Sequence, residues 1–260
     1  MKAGVSTASL YPMETEIAVR TLGEMGVRNI EIFVNDTSEL EGEVREKIAS
    51  CIKEYNMNVV SIHPFNSPLE TLFLFSDYKR RVDTISALYK KYFEFMQYVG
   101  ARIFVLHGAQ KDARCSDEMY VERFMKLNES ASEFGALVAQ ENVHYCKSGN
   151  IEFLKMLERE CGAKFVLDIK QAVRAGYDPI EIAEAVGGSV IHLHVSDNRP
   201  GADCIPVGQG TYDMAKLIRA LHGKGFDGAM LVELYRNGYS EFSELTESVK
   251  RLENIIEEFS

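Results

Sequence analysis

The chain has no tryptophan, only six prolines and only five cysteines in 260 residues. The missing tryptophan excludes nothing. Cys51, Cys115, Cys146, Cys161 and Cys204 are odd in number, form no CxxC pair and are too sparse for a disulfide scaffold. That pattern points to a reducing compartment. No GxGxxG occurs anywhere, and the residues after the first apolar run are Ser6, Thr7, Ala8, Ser9, Leu10, Tyr11 and Pro12. A nicotinamide-dependent enzyme is thereby disfavoured, because its phosphate-binding turn is missing. No apolar run approaches the roughly 20 residues needed to cross a bilayer. No cationic leader precedes the strand-like run Lys2 to Ser6. The expectation is a cytoplasmic protein without a membrane partner. Basic residues are also scarce: 29 Lys and Arg stand against 39 Asp and Glu, a formal net charge of -10. This weighs against nucleic acid as a partner, which normally demands a basic face.

What is present is a regular alternation. Hydrophobic residues make up 46% of the chain, enough for a sizeable core. Short apolar runs at 2–6, 27–33, 57–63, 101–108, 135–141, 163–168, 189–195 and 228–235 read as strands. Helices are expected at 14–25, 39–55, 77–98, 117–134, 150–160, 178–186, 211–223 and 240–258. In the second of these, Leu40, Val44, Ile48, Ile52 and Tyr55 recur at helical spacing. Strands that are apolar on both faces suit a parallel sheet covered by helices. Eight such units predict a single (β/α)₈ barrel, an α/β fold, over residues 1–260. The one long connection runs from Pro64 to about Ser76 and carries Phe65, Phe73 and Phe75. It reads either as a loop packed onto the barrel or as a wall over its mouth.

The polar residues that end the strands carry the chemistry. His63, His107, Glu141, Asp168 and His194 close five successive strands, and the last strand carries Glu233. In a barrel, C-terminal strand ends converge on one mouth. Carboxylates with imidazole suit a divalent ion such as Mn²⁺, and also Zn²⁺, Co²⁺, Mg²⁺ or Fe²⁺. No cysteine joins the pattern, which disfavours a thiolate site. Three carboxylates brought together without a cation would repel one another and lose hydration. Plainer roles stay open: Asp168 as a cap for the turn after its strand, Glu141 as partner to a nearby base, His63 as filler before Pro64. His192, two residues before His194 on the same face, is expected deeper in the barrel as a packing residue. Tyr11 and Phe65 are candidates for the pocket wall.

Six stretches resemble the xylose-isomerase-like TIM barrel superfamily, and within it the sugar (phosphate) isomerase and epimerase group, related to the endonuclease IV family. They are VVSIH at 59–63, FVLHG at 104–108, LDIKQAVRAG at 167–176, HLHVSDNR at 192–199, PVGQG at 206–210 and LVELYR at 231–236. The resemblance implies a metal set of Glu141, Asp168, His194 and Glu233, with Glu141 and Glu233 as the proton-transfer pair. It implies substrate contacts from His63, His107, Gln171 and Arg199. The related apurinic endonucleases place a further ion on the counterparts of His63, His107 and Glu141. Their third ion needs a histidine where this chain has Gln171, and an Asp-x-His element where it has Asp203, Cys204 and Ile205. The implied activity is metal-assisted isomerisation or epimerisation of a ketose or related sugar, with or without phosphate. Alternatives are a hydrolase or lyase on the same site, endonuclease-like or inosose-dehydratase-like, and a sugar-binding barrel without chemistry. A homo-oligomer is a family-level expectation.

Overall fold

Each short apolar run becomes a parallel strand in this computed structural model, which describes residues 1–259. In chain order the strands and helices are β1 (Lys2–Ser6), α1 (Thr15–Glu24), β2 (Asn29–Val34), α2 (Gly42–Glu54), β3 (Asn58–Pro64), α3 (Lys79–Val99), β4 (Ile103–Leu106), α4 (Asp117–Ser132), β5 (Leu137–Glu141), α5 (Ile151–Cys161), β6 (Lys164–Asp168), α6 (Ile169–Ala175), α7 (Pro179–Val186), β7 (Val190–Val195), β8 (Asp197–Arg199), β9 (Ala202–Ile205), α8 (Met214–His222), β10 (Ala229–Val232) and α9 (Ser243–Glu257). Eight strands close a parallel barrel in the order β1-β10-β7-β6-β5-β4-β3-β2, while β8 and β9 form a separate antiparallel hairpin. This is the (β/α)₈ architecture that the alternation predicted. Among the described residues no helix is long and apolar enough to cross a membrane, and all five cysteines are unpaired.

Side chains alternate across each strand, so the barrel has two distinct apolar regions. Outward residues pack under the helices. Phe104 of β4 is fully buried, and the rings of Tyr89, Tyr92 and Phe93 from α3 surround it at 5.1, 5.8 and 5.3 Å between centroids. Inward residues Val105, Ala139 and Val166 form their own cluster inside the barrel. His107, Glu141 and Asp168 lie two positions further along the same chains, so the same alternation turns them inward, one layer nearer the mouth. Register supplies the rest: Asp168 pairs beside His194, and Val195 pairs beside Val232. Glu233 follows directly, its backbone N–H donating to the Val195 carbonyl at 3.0 Å.

Two elements were not expected from sequence. Helix α6 follows β6 without a linker, because the Asp168 side chain itself caps it, accepting from the Gln171 N–H at 2.8 Å. Gly176, at φ +87, closes its far end. At seven residues the helix is too short for a periodic signal. The β8–β9 hairpin is equally short. Two expected strands also end earlier than predicted: β4 stops at Leu106 and β10 at Val232, so His107 and Glu233 stand just past the ladder.

The long connection after β3 is packed down by its own side chains and also reaches the mouth. Phe75 stacks on Tyr120 at 4.1 Å. Buried Glu70 accepts hydrogen bonds from the Gly108 backbone N–H and from the Tyr89 hydroxyl at 3.2 Å. Gly108 has φ +89, and a Cβ there would strike the Tyr120 hydroxyl at 1.9 Å, so only glycine fits. Burial pushes the Glu70 carboxyl up to about 8, against the opposing pull of the Gly108 N–H.

Phe104→Ala is expected to lower stability by about 3–5 kcal/mol in urea unfolding. Glu70 gives a pH signature. Between its ordinary value, about 4.3, and about 8, the folded chain holds a proton that the unfolded chain has lost. The Glu70 contribution is therefore present at low pH and lost as pH rises through that window. Glu70→Gln mimics the protonated carboxyl, so its stability relative to wild type should climb from pH 5 to pH 8; a gap independent of pH would refute the assignment.

Candidate metal centre at the strand ends

His194 is the hub. It is buried in β7, and its Nε2 faces Glu31 Oε2 at 3.0 Å. Glu31, in the middle of β2, also accepts from Ser6 Oγ at 2.9 Å and Ser61 Oγ at 2.8 Å. Burial alone would raise the Glu31 pKa, but the imidazoles of His194 and His192 outweigh it and hold the carboxylate well below its ordinary value. An ionised Glu31 fixes the Nε2–H of His194 and turns the other nitrogen to the mouth.

That nitrogen, Nδ1, is buried and has no hydrogen-bond partner. Around it stand Glu141 Oε1 at 3.5 Å, Glu233 Oε2 at 3.6 Å and Asp168 Oδ2 at 3.8 Å. These separations are long for hydrogen bonds. They are close to those between ligands sharing one ion, where bonds of about 2.1 Å leave neighbouring donors roughly 3.0–3.5 Å apart. Glu141, Asp168 and His194 form a compact buried trio able to hold a metal ion. The donor set, nitrogen and oxygen without sulfur, fits a first-row divalent ion.

Lys170 complicates this picture. Its Nζ donates to Asp168 Oδ2 and to Glu233 Oε2, both at 2.7 Å. Burial opposes the lysine's charge, yet Asp168 and Glu233 hold its pKa well above the ordinary value. Burial pushes Asp168 up to about 7, with Glu141 and Glu233 adding to the rise and Lys170 opposing it. Glu233 is held below its ordinary value by Lys170 and His194, against burial. The plainer role foreseen for Asp168 holds at the same time: Oδ1 caps α6 while Oδ2 faces the centre.

A second trio, with His107 partly exposed, adjoins the first. Glu141 Oε2 lies 2.8 Å from His107 Nε2 and 3.6 Å from His63 Nε2, and the two imidazole nitrogens are 2.9 Å apart. His63 Nδ1 is 3.2 Å from the Pro64 carbonyl, to which it donates when that nitrogen carries a proton. His63, His107 and Glu141 are thus also arranged to hold an ion, with Glu141 common to both trios.

Above lies a cavity of about 430 Å³. Tyr11, Phe33, Phe65 and Tyr235 wall it, and His63, His107, Glu141, Lys170, Gln171 and Glu233 reach it. Gln171 is tied to His144, whose Nδ1 lies 2.6 Å from Gln171 Oε1. Arg199 is not there: it is exposed on the hairpin, its Nη1 donating to the Gln209 carbonyl at 3.3 Å, and it borders a separate groove with Asn198 and Thr211. Arg174 holds the rim instead, bonded to Asp203 at 2.6 and 3.2 Å and to the Tyr235 hydroxyl at 2.8 Å. His192 sits deeper, fully buried beside Glu31 and Ser61. The PVGQG turn is organised by Asp197, which accepts from Gly208 and Gly210 N–H at 2.8 and 3.1 Å. Sequence reasoning missed Glu31 and Lys170. An acidic residue inside an apolar strand was a signal for the first; nothing pointed to the second.

A profile of the family described as xylose isomerase-like TIM barrel matches residues 19–255. The chain belongs to this family. An uncharacterized protein of Mycobacterium leprae is 22% identical over 280 residues, covering 96% of each chain. Among solved structures, a D-tagatose 3-epimerase-like protein superposes with a TM-score of 0.81 at 18% identity, covering 99% of this chain and 97% of that one. The IOLI protein with a binding zinc atom gives 0.78 at 19% identity, covering 98% and 96%. At these identities the structures establish a shared fold.

Because Glu31 sets the orientation of the His194 ring, Glu31→Gln should weaken binding of Mn²⁺ or Zn²⁺ by about 10–100-fold in calorimetric titration. Unchanged affinity would remove His194 Nδ1 from the ligand set.

Proposed function

We propose that this xylose isomerase-like barrel is a divalent-metal-dependent isomerase or epimerase of a ketose or related small sugar. One observation carries the reading. Glu141, at the end of β5, and Glu233, just past β10, both line the cavity and both face His194 Nδ1, at 3.5 and 3.6 Å. Two carboxylates able to exchange a proton with substrate therefore stand at the place where an ion fits. The names of two similar structures, a D-tagatose 3-epimerase-like protein and a zinc-binding IOLI protein, support it.

In this proposal Glu141, Asp168, His194 and Glu233 hold the ion, Mn²⁺ foremost. A bound ion would polarise the substrate carbonyl and offset the negative charge that forms beside it. One glutamate removes the proton from the carbon next to the carbonyl, and the other delivers a proton to the carbon that accepts it. Glu141 is buried and Glu233 largely so, and both face charged neighbours that set their basicity. His107 and His63 hold a substrate oxygen, and Gln171 offers an amide to a hydroxyl. The aromatic wall covers the apolar face of the sugar and excludes water. Arg199, outside the cavity, has no part in this scheme.

The trio of His63, His107 and Glu141 favours a second reading, a hydrolase or lyase working with two ions. The first reading predicts product formation from a panel of ketoses and ketose phosphates with Mn²⁺ in D₂O, with deuterium entering the product at the reacting carbon. Glu141→Gln and Glu233→Gln should each lower kcat by about 10²–10⁴-fold. Full activity in both variants would exclude the proton-transfer pair; two bound ions with cleavage of abasic DNA would favour the second reading.

A further inference from the structure

The two oxygens that Lys170 holds are the two that complete the ring around His194. Asp168 Oδ2 and Glu233 Oε2 each accept from Lys170 Nζ at 2.7 Å, and the same atoms lie 3.8 and 3.6 Å from His194 Nδ1. The ammonium is buried, lies 5.5 Å from the centre of the Tyr235 ring and, among the described residues, is the one lysine or arginine lining the central cavity. Its backbone is fixed on α6, two residues from Asp168, whose main chain is clamped from both sides by Asn142. Its point of attachment therefore stays beside the centre wherever the side chain lies.

We propose that Lys170 is a tethered cation that competes with the divalent ion for Asp168 and Glu233, so that its displacement sets the ion affinity of this chain. The inference rests on the reading that an ion binds at the strand ends. The physical case is charge and lone pairs. When ionised, Glu141, Asp168 and Glu233 supply three negative charges, and the ammonium already answers one of them. An arriving divalent ion meets both a like charge a few ångströms away and two oxygens already engaged in charge-assisted hydrogen bonds. Without the ammonium, Asp168 Oδ2 and Glu233 Oε2 keep only the His194 imidazole nearby, at 3.8 and 3.6 Å, a state costly to leave without a cation. The lysine thus keeps the ion-free barrel folded and weakens the ion's hold when one arrives.

The test is calorimetric titration of the chelator-stripped full chain with MnCl₂ and ZnCl₂, alongside thermal melts. Lys170→Met should bind about tenfold tighter or more. Lys170→Arg, which keeps the charge, should stay near wild type. Ion-free Lys170→Met should melt below ion-free wild type, and saturating Mn²⁺ should raise its melting temperature by the larger amount. Lys170→Gln serves in the same measurements if the methionine variant fails to fold. Equal or weaker binding by the uncharged variant overturns the proposal while leaving the metal centre standing, and so does equal tightening by Lys170→Arg. If neither uncharged variant folds even in millimolar Mn²⁺, the ion cannot take the ammonium's place and the proposal falls. No ion bound by wild type or by any variant overturns both the proposal and the metal centre.

Discussion

Four carboxylates, from Glu31, Glu141, Asp168 and Glu233, converge around one buried imidazole at the open end of the barrel. Like charges at such range destabilise a fold unless cations or hydrogen-bond donors answer them. The surrounding structure is arranged as those answers. Glu31 receives two serine hydroxyls and faces two imidazoles, Asp168 and Glu233 share a lysine, and Glu141 faces three histidines. What the fold itself supplies is convergence. Parallel strands in register carry residues from distant parts of the chain to one layer, and period-two alternation decides which of them face inward.

Rigidity comes from outside that layer. Asn142 grips the main chain of Asp168, its amide accepting from the Asp168 N–H at 2.7 Å and donating to the carbonyl at 3.0 Å. Glu70 fastens the loop after β3 to Gly108, next to His107. Asp197 gathers the turn that carries Gly208 and Gly210, where a Cβ on Gly210 would meet its carboxylate at 2.2 Å. None of these groups lines the cavity, and Asn142 and Glu70 hold backbone next to residues of the centre. An ion site needs this: donors held by packing and hydrogen bonds lose less freedom when an ion binds.

The barrel was legible because its signal repeats eight times: a short apolar strand, then an amphipathic helix. The strand-end residues were legible for a related reason, since a polar residue closing an apolar run stands out. Glu31 was harder to find, because the run around it reads as an ordinary strand and one acid does not break the pattern. Lys170 was out of reach. Its position depends on α6 beginning immediately after Asp168, and that helix is capped by a side chain also expected to face an ion. Arg199 failed as a cavity residue because the β8–β9 hairpin, too short to detect, carries it away from the mouth. In each case the missing information was the course of the backbone just past a strand end, where propensity is weakest and tertiary contacts decide.

Asp168 is a single rigid carboxylate with two duties. One oxygen closes the first turn of α6 through the Gln171 N–H, and the other belongs to the charged centre. The two oxygens rotate together about one bond. A change in what occupies the centre cannot reorient this carboxylate without loosening the start of the helix, and that helix carries Gln171 at the cavity wall and Arg174 at its rim. One torsion angle thus joins the charged layer to the first turn of the helix that borders the entrance.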